Sequence, residues 1–139
     1  MTLIGFHFTK IMAEKQKTAS GKISVKNNIV ISKVQEAKLN IGSAKEAGIE
    51  FSFVFSCVFG PEIGEIVLEG AVVYMNEETK VKQVLAKWNK EKKLAPEMME
   101  ELYNHVLSKC NVEALILGRD MQLPAHIPLP KVTSGEKKK

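Results

Sequence analysis

Hydrophobic and polar positions alternate along the first half of the chain, and the alternation is clearest over residues 49–59. The odd positions from 51 onward are Phe51, Phe53, Phe55, Cys57 and Phe59, and the even positions are Ser52, Val54, Ser56 and Val58. A period of two is typical of a β-strand with two different faces. A similar alternation over residues 65–75 follows a short Pro- and Gly-containing loop, which predicts an antiparallel partner strand. If the register places Gly70 opposite a Phe, this glycine leaves room for the ring.

Three further segments alternate in the same way, at residues 4–8, 22–26 and 29–41. The polar residues 12–21 predict a loop. Asn27 and Asn28 interrupt the pattern, and because Asn tolerates left-handed backbone, they predict a tight hairpin turn or a bulge. Glycines bracket residues 42–48, which predicts a turn before the aromatic strand.

The period changes to three and four after Asn76, which indicates helix. Asn76 is the predicted cap of a first helix that ends before Pro96, and Pro96 fits the first turn of a second helix reaching about Asp120. Strands followed by helices predict an α+β domain, with an antiparallel sheet of about four strands and two helices packed on one face. Three prolines within residues 124–130 then require extended chain. We expect one domain over residues 1–132 and a disordered basic tail over 133–139.

The net positive charge of the chain is weak evidence for nucleic-acid binding, because much of it lies in the last nine residues. The chain has 139 residues and a formal charge of +4, but residues 131–139 carry four lysines against one glutamate, leaving 16 basic and 15 acidic groups in the rest. Arg119 is the only arginine, and arginine is the side chain that reads guanine or clamps phosphate with two parallel bonds. A small nucleic-acid-associated basic protein is therefore an alternative that we consider unfavoured.

No arrangement of residues indicates catalysis, a metal site or a cofactor. The histidines and the two cysteines lack zinc-ligand spacing, and no phosphate-binding loop or nucleophile elbow occurs. Glu101 and His105 lie four apart on a predicted helix, which we interpret as a structural pair. We predict a protein that is not an enzyme. Two reduced cysteines, no apparent signal peptide and no apolar run of membrane-spanning length favour a cytoplasmic protein without membrane insertion.

The two faces of the predicted sheet give the candidate sites. Its aromatic face is either the core beneath the helices, the interpretation we favour, or a binding surface. The second face is also mildly apolar, and two helices cannot cover both faces, which predicts self-association or binding of an extended partner. The residues of this second face that we assign to an oligomer interface are Ser52, Val54, Ser56, Val58, Val67 and Val73.

The chain resembles the SecB family of export chaperones over about residues 4–132. The element order is the same, and the exit from the long helix is similar, with Leu123-Pro124, five residues, then Pro130-Lys131-Val132. The basic tail departs from the acidic familiar bacterial members, which puts docking to an export motor in doubt. We interpret the chain as a divergent SecB-like protein, of the archaeal or the toxin–antitoxin-associated type.

The resemblance implies an ATP-independent holdase for protein transport that binds unfolded polypeptide in an apolar groove. It also implies a homo-oligomer, either a dimer or a tetramer. The residues assigned to polypeptide binding on this basis are Phe51, Phe53, Phe55, Phe59 and Trp88. A structural interaction module of another type is the remaining alternative.

Overall fold

The computed structural model of the protein describes residues 2–18, 21–37 and 46–130. In chain order the elements are β1 (Thr2–Lys15), β2 (Ser24–Ala37), β3 (Glu46–Gly60), β4 (Gly64–Glu77), α1 (Glu78–Glu91) and α2 (Pro96–Asp120). The strands form one antiparallel sheet in the order β1-β4-β3-β2. The two strands that come first in the sequence therefore lie at opposite edges. The predicted α+β architecture is confirmed.

The alternation of β3 determines which face of the sheet is buried. Its odd-numbered aromatic residues point towards the helices, where the exposed fraction of each ring is 0–1%. The core therefore lies between this face and the buried stripe of α2, which consists of Leu102, Val106, Cys110, Ala114 and Gly118. The aromatic face is therefore core, which is the interpretation that we favoured from the sequence.

Gly70 lies opposite a phenylalanine, as the alternation of the two strands predicted. It pairs with Phe53 on β3 and with Phe8 on β1. A Cβ at residue 70 would lie 2.8 Å from Cζ of Phe53 and would overlap the carbonyl oxygen of His7. The missing side chain thus lets β1 approach β4 while the Phe53 ring packs over the glycine.

Four local predictions were wrong. Residues 12–15 belong to β1 and not to the predicted loop. β2 runs through Asn27 and Asn28 with neither a turn nor a bulge, because their pairing with β3 continues in register. Residues 46–48 begin β3, whereas we predicted a turn over 42–48, of which 42–45 lie outside the described residues. Glu77 is the N-cap of α1, and the Asn76 side chain accepts a hydrogen bond from the Glu77 amide just before the helix.

Residues 121–130 leave α2 as extended chain, as their prolines predict, and we call them the strap. The Leu123 amide donates to the Gly118 carbonyl at 2.7 Å, and the Leu123 side chain is buried in the core. The strap therefore turns back against the body of the domain. The predicted tail over 133–139 lies outside the described residues.

Candidate functional site

The four phenylalanines assigned to polypeptide binding are not on the surface. Phe51, Phe53, Phe55 and Phe59 are almost completely buried between the sheet and the helices. The helices and the chain that follows α2 cover these rings, so a bound chain cannot contact them in this packed state and the assignment must be corrected for it. The error arose because alternation identifies an apolar face without showing what covers it.

Trp88 lies apart from these rings on α1. It is half-buried, packs against the edge of the core, and has the Lys92 ammonium 5.7 Å from its ring centroid. A neighbouring hollow of about 180 Å³ is lined by α1 and the segment before α2. Trp88 itself does not line this hollow, so its role in polypeptide binding remains a prediction.

The six residues assigned to an oligomer interface share one surface. Ser52, Val54, Ser56 and Val58 of β3, with Val67 and Val73 of β4, all lie on the sheet face opposite the helices. We call this the open face. No described element covers it, and Val58 is 46% exposed. The structure therefore brings the assigned residues together, and their role as an interface stays a prediction.

Polar pairs interrupt the apolar character of the open face. The Gln35 amide donates to Oε1 of Glu50 at 2.7 Å, and the Lys10 ammonium lies 3.8 Å from a carboxylate oxygen of Glu69. Both pairs are solvent-exposed, so each contributes little to stability. They leave a strip of small and β-branched side chains between two polar margins.

A cleft that the sequence did not reveal lies between β1 and α2. Its volume is about 500 Å³, and its apolar lining is formed by Phe6, Phe8 and Val112. Lys109 and Glu113 add one charge of each sign to its helical wall. We call this the edge cleft, because β1 is the edge strand of the sheet and its outer side has no strand partner among the described residues.

Large exposed hydrophobic residues are frequent on the two elements that flank the edge cleft, although Val112 alone among them lines it. Five of the eight described in the protein belong to β1 or α2, and these are Leu3, Ile4, Ile11, Val112 and Ile116. Val112 is the most exposed of them at 59%. Val112 and Ile116 are four residues apart and stand outside the buried stripe of α2, which was the available signal for a second apolar helix surface.

The polar chemistry near the core is limited. Burial raises the pKa of Cys57 and of Cys110 to about 12, so both thiols stay protonated and are poor nucleophiles at neutral pH. His105 packs edge-on against Phe6, with ring centroids 5.6 Å apart, and makes no hydrogen bond to Glu101. Within the described ranges, no group of three or more His, Cys, Asp or Glu side chains is placed to hold a metal ion.

Comparison with known proteins shows that a solved structure shares this fold. No protein-family model and no curated protein matches the sequence. A solved structure does match, that of the Mycobacterium tuberculosis SecB-like chaperone Rv1957 in complex with a ChAD peptide from the HigA1 antitoxin. The chain has the SecB-like fold. The superposition covers 95% of this chain and 89% of the mycobacterial chain, with a TM-score of 0.52 and 9% sequence identity.

The order and packing of the elements in this chain agree with the SecB-like fold. Four antiparallel strands come first and two helices follow on one face, in agreement with the architecture expected from the resemblance. At 9% identity the likeness concerns the fold. Neither described helix is both long and apolar enough to span a bilayer.

Proposed function

We propose that this protein is a divergent SecB-like chaperone, a holdase that binds unfolded or extended polypeptide without nucleotide. The observation that carries the proposal is the edge cleft, where the half-buried Phe6 and Phe8 and the exposed Val112 lie beside an unpaired strand edge. The solved SecB-like chaperone of the same fold is bound to a peptide, which supports the proposal.

The apolar walls supply the driving force. Burying one large aliphatic or aromatic side chain stabilises a complex by about 1.5–3 kcal/mol. A client segment that covers Phe6, Phe8 and Val112 also buries its own apolar side chains, while ordering the client opposes binding. The balance fits the moderate affinity that lets a holdase release its client.

The edge of β1 supplies a second, sequence-independent interaction. An extended client can add to an unpaired strand edge through backbone hydrogen bonds, which do not depend on its side chains. Lys109 and Glu113 offer opposite charges on the helical wall, so neither acidic nor basic clients are strongly repelled. Both properties favour broad selectivity.

The open face supports the second part of the proposal, a homo-oligomer that is a dimer or a tetramer. Its valines, with Val58 46% exposed, would be covered by a second copy of the chain. Self-association through this face leaves the edge cleft, on the other side of the sheet, accessible to client. A cytoplasmic location and a role in protein transport fit this activity and belong to the same proposal.

Suppression of client aggregation tests the proposed function. Chemically denatured citrate synthase is diluted into buffer without ATP, and light scattering is followed with increasing amounts of the protein. We expect suppression at substoichiometric to equimolar ratios of the protein to the client. Aggregation that is unchanged at several-fold excess would show that the protein is not a holdase.

A further inference from the structure

The strap covers part of the apolar core with extended chain. Its last described main-chain hydrogen bonds run from the Gln122 and Leu123 amides to carbonyls of α2, and none is described for residues 124–130. Three of its residues are prolines, which cannot donate. Attachment of the strap beyond Leu123 therefore depends on side chains.

The side-chain hydrogen bonds described for the strap all involve His126. The residue is only 5% exposed, and its ring meets Phe55 of β3 edge-on with centroids 6.0 Å apart. Its Nε2 lies 2.9 Å from Oδ1 of Asn111 on α2, and its carbonyl accepts a hydrogen bond from Nδ2 of Asn27 on β2 at 3.0 Å. One residue thus joins the strap to three elements.

The burial of the ring and the lack of an acceptor at Nδ1 favour the neutral imidazole over the charged one. Nε2–H donates to the Asn111 oxygen, which leaves Nδ1 as the unprotonated nitrogen, buried without a hydrogen-bond partner among the described residues. Protonation would place a positive charge and a new N–H donor at Nδ1, where no acceptor faces it. A buried donor without a partner is strongly unfavourable, and a buried charge is more so.

The charged groups of the surrounding elements do not offset this effect. Within two residues of the three contacts in the sequence, the titratable groups are Lys26 of β2, Cys57 of β3, and Lys109, Cys110 and Glu113 of α2. Arg119 of α2, a further cation, lines a hollow together with the strap. Lys26 pairs with Val58 on the open face, Lys109 and Glu113 line the edge cleft, and both thiols are neutral. Burial lowers the pKa of His126, and no carboxylate contributes to it. The stabilisation from neutral His126 is therefore fully present above about pH 6.5 and is lost as the pH falls below that value.

We propose that the strap is an acid-released cover: protonation of His126 detaches residues 124–130 and opens the apolar surface around Phe55 to extended polypeptide. After release, the edge of Phe55 and the half-buried side chain of its register partner Ile29 would form the newly exposed surface. Release of the strap follows from the contacts of His126. Use of the exposed surface by a client rests on the proposed function.

An NMR titration of the full chain between pH 7.5 and 5.0 tests the release step. We expect the ring-to-ring NOE between His126 and Phe55 to disappear as His126 becomes protonated, while the NOEs within α2 remain. His126→Phe keeps a ring against Phe55 and cannot titrate, so its strap should stay attached at pH 5.0. If the wild-type NOE persists at pH 5.0, the proposal is overturned.

Two further variants keep the test decisive. Asn27→Ala retains His126 but removes the donor to its carbonyl, so its strap should detach at a higher pH than that of the wild type. His105→Gln removes the other histidine that has a buried, unpartnered nitrogen, and it should titrate like the wild type. A transition that vanishes in His105→Gln and survives in His126→Phe would assign the effect to His105 and refute the proposed role of His126.

Binding of a labelled, reduced and carboxymethylated polypeptide at both pH values separates the two proposals. We expect at least tenfold tighter binding at pH 5.5 than at pH 7.5 in the wild type, and equal binding in His126→Phe. Strap release without any gain in binding would refute the client-accessible surface. Absence of binding at both pH values, with release intact, would count against the holdase and leave the release step established.

Discussion

Replacing Gly70 with Ala should disrupt the contact between β1 and β4. The added Cβ would meet Cζ of Phe53 at 2.8 Å and Cα of Phe8 at 3.0 Å, and it would overlap the carbonyl oxygen of His7. Ordinary contacts begin near 3.4 Å. Because two of these neighbours are backbone atoms, β1 must move away by roughly 0.5–1 Å, and overpacking of this kind costs about 1–3 kcal/mol or slightly more.

Gly5→Ala is the matched control, since it makes the same chemical change in the same sheet. Its Cβ would meet Val73 Cβ at 3.9 Å, an ordinary contact, so the control should be neutral or slightly stabilising. Urea unfolding at one fixed protomer concentration measures both variants. We expect Gly70→Ala to be less stable than Gly5→Ala by about 2–4 kcal/mol. Equal stabilities would refute the close approach of β1 to β4 and, with it, the wall of the edge cleft.

Other parts of the structure lead to three further predictions. Phe53→Ala should destabilise the domain by about 3–5 kcal/mol in the same unfolding assay because the ring is buried, and a loss under 1 kcal/mol would contradict its place in the core. Val58→Lys, on the exposed strip of the open face, should shift the mass from light scattering towards the monomer with little change in the far-ultraviolet circular dichroism. An unchanged mass would exclude this face as the interface. Cys57 and Cys110 should not react with a thiol reagent at pH 8 until urea unfolds the protein, and rapid labelling of the native chain would contradict their burial.

Residue periodicity was sufficient to predict the fold class, because both periods are strong here. The aromatic alternation of β3 and the three-and-four spacing after Asn76 each span ten or more residues. Shorter and more polar stretches were misread. Asn27 and Asn28 favour turns locally, but pairing of β2 along β3 holds them in extended conformation, and tertiary pairing outweighs local preference.

The candidate site depends on strand order, which alternation does not encode. Phe6 and Phe8 form a cleft with Val112 because β1 pairs with β4 and lies at the sheet edge beneath α2. Nothing local distinguishes these phenylalanines from the fully buried Phe53 and Phe55. The sequence predicts more apolar surface than two helices can cover, and the strand order determines which part of that surface remains accessible.

The affinity of an unfolded polypeptide for cleft variants tests the central claim most directly. Val112→Asp places a charge on the apolar wall of the edge cleft, and Ala86→Asp places the same charge at an exposed position of α1. Fluorescence anisotropy with a labelled, reduced and carboxymethylated polypeptide at pH 7.5 gives Kd for each. We predict at least tenfold weaker binding for Val112→Asp, wild-type binding for Ala86→Asp, and similar unfolding free energies for both. Equal affinities for the two variants would contradict the edge cleft as the polypeptide-binding site.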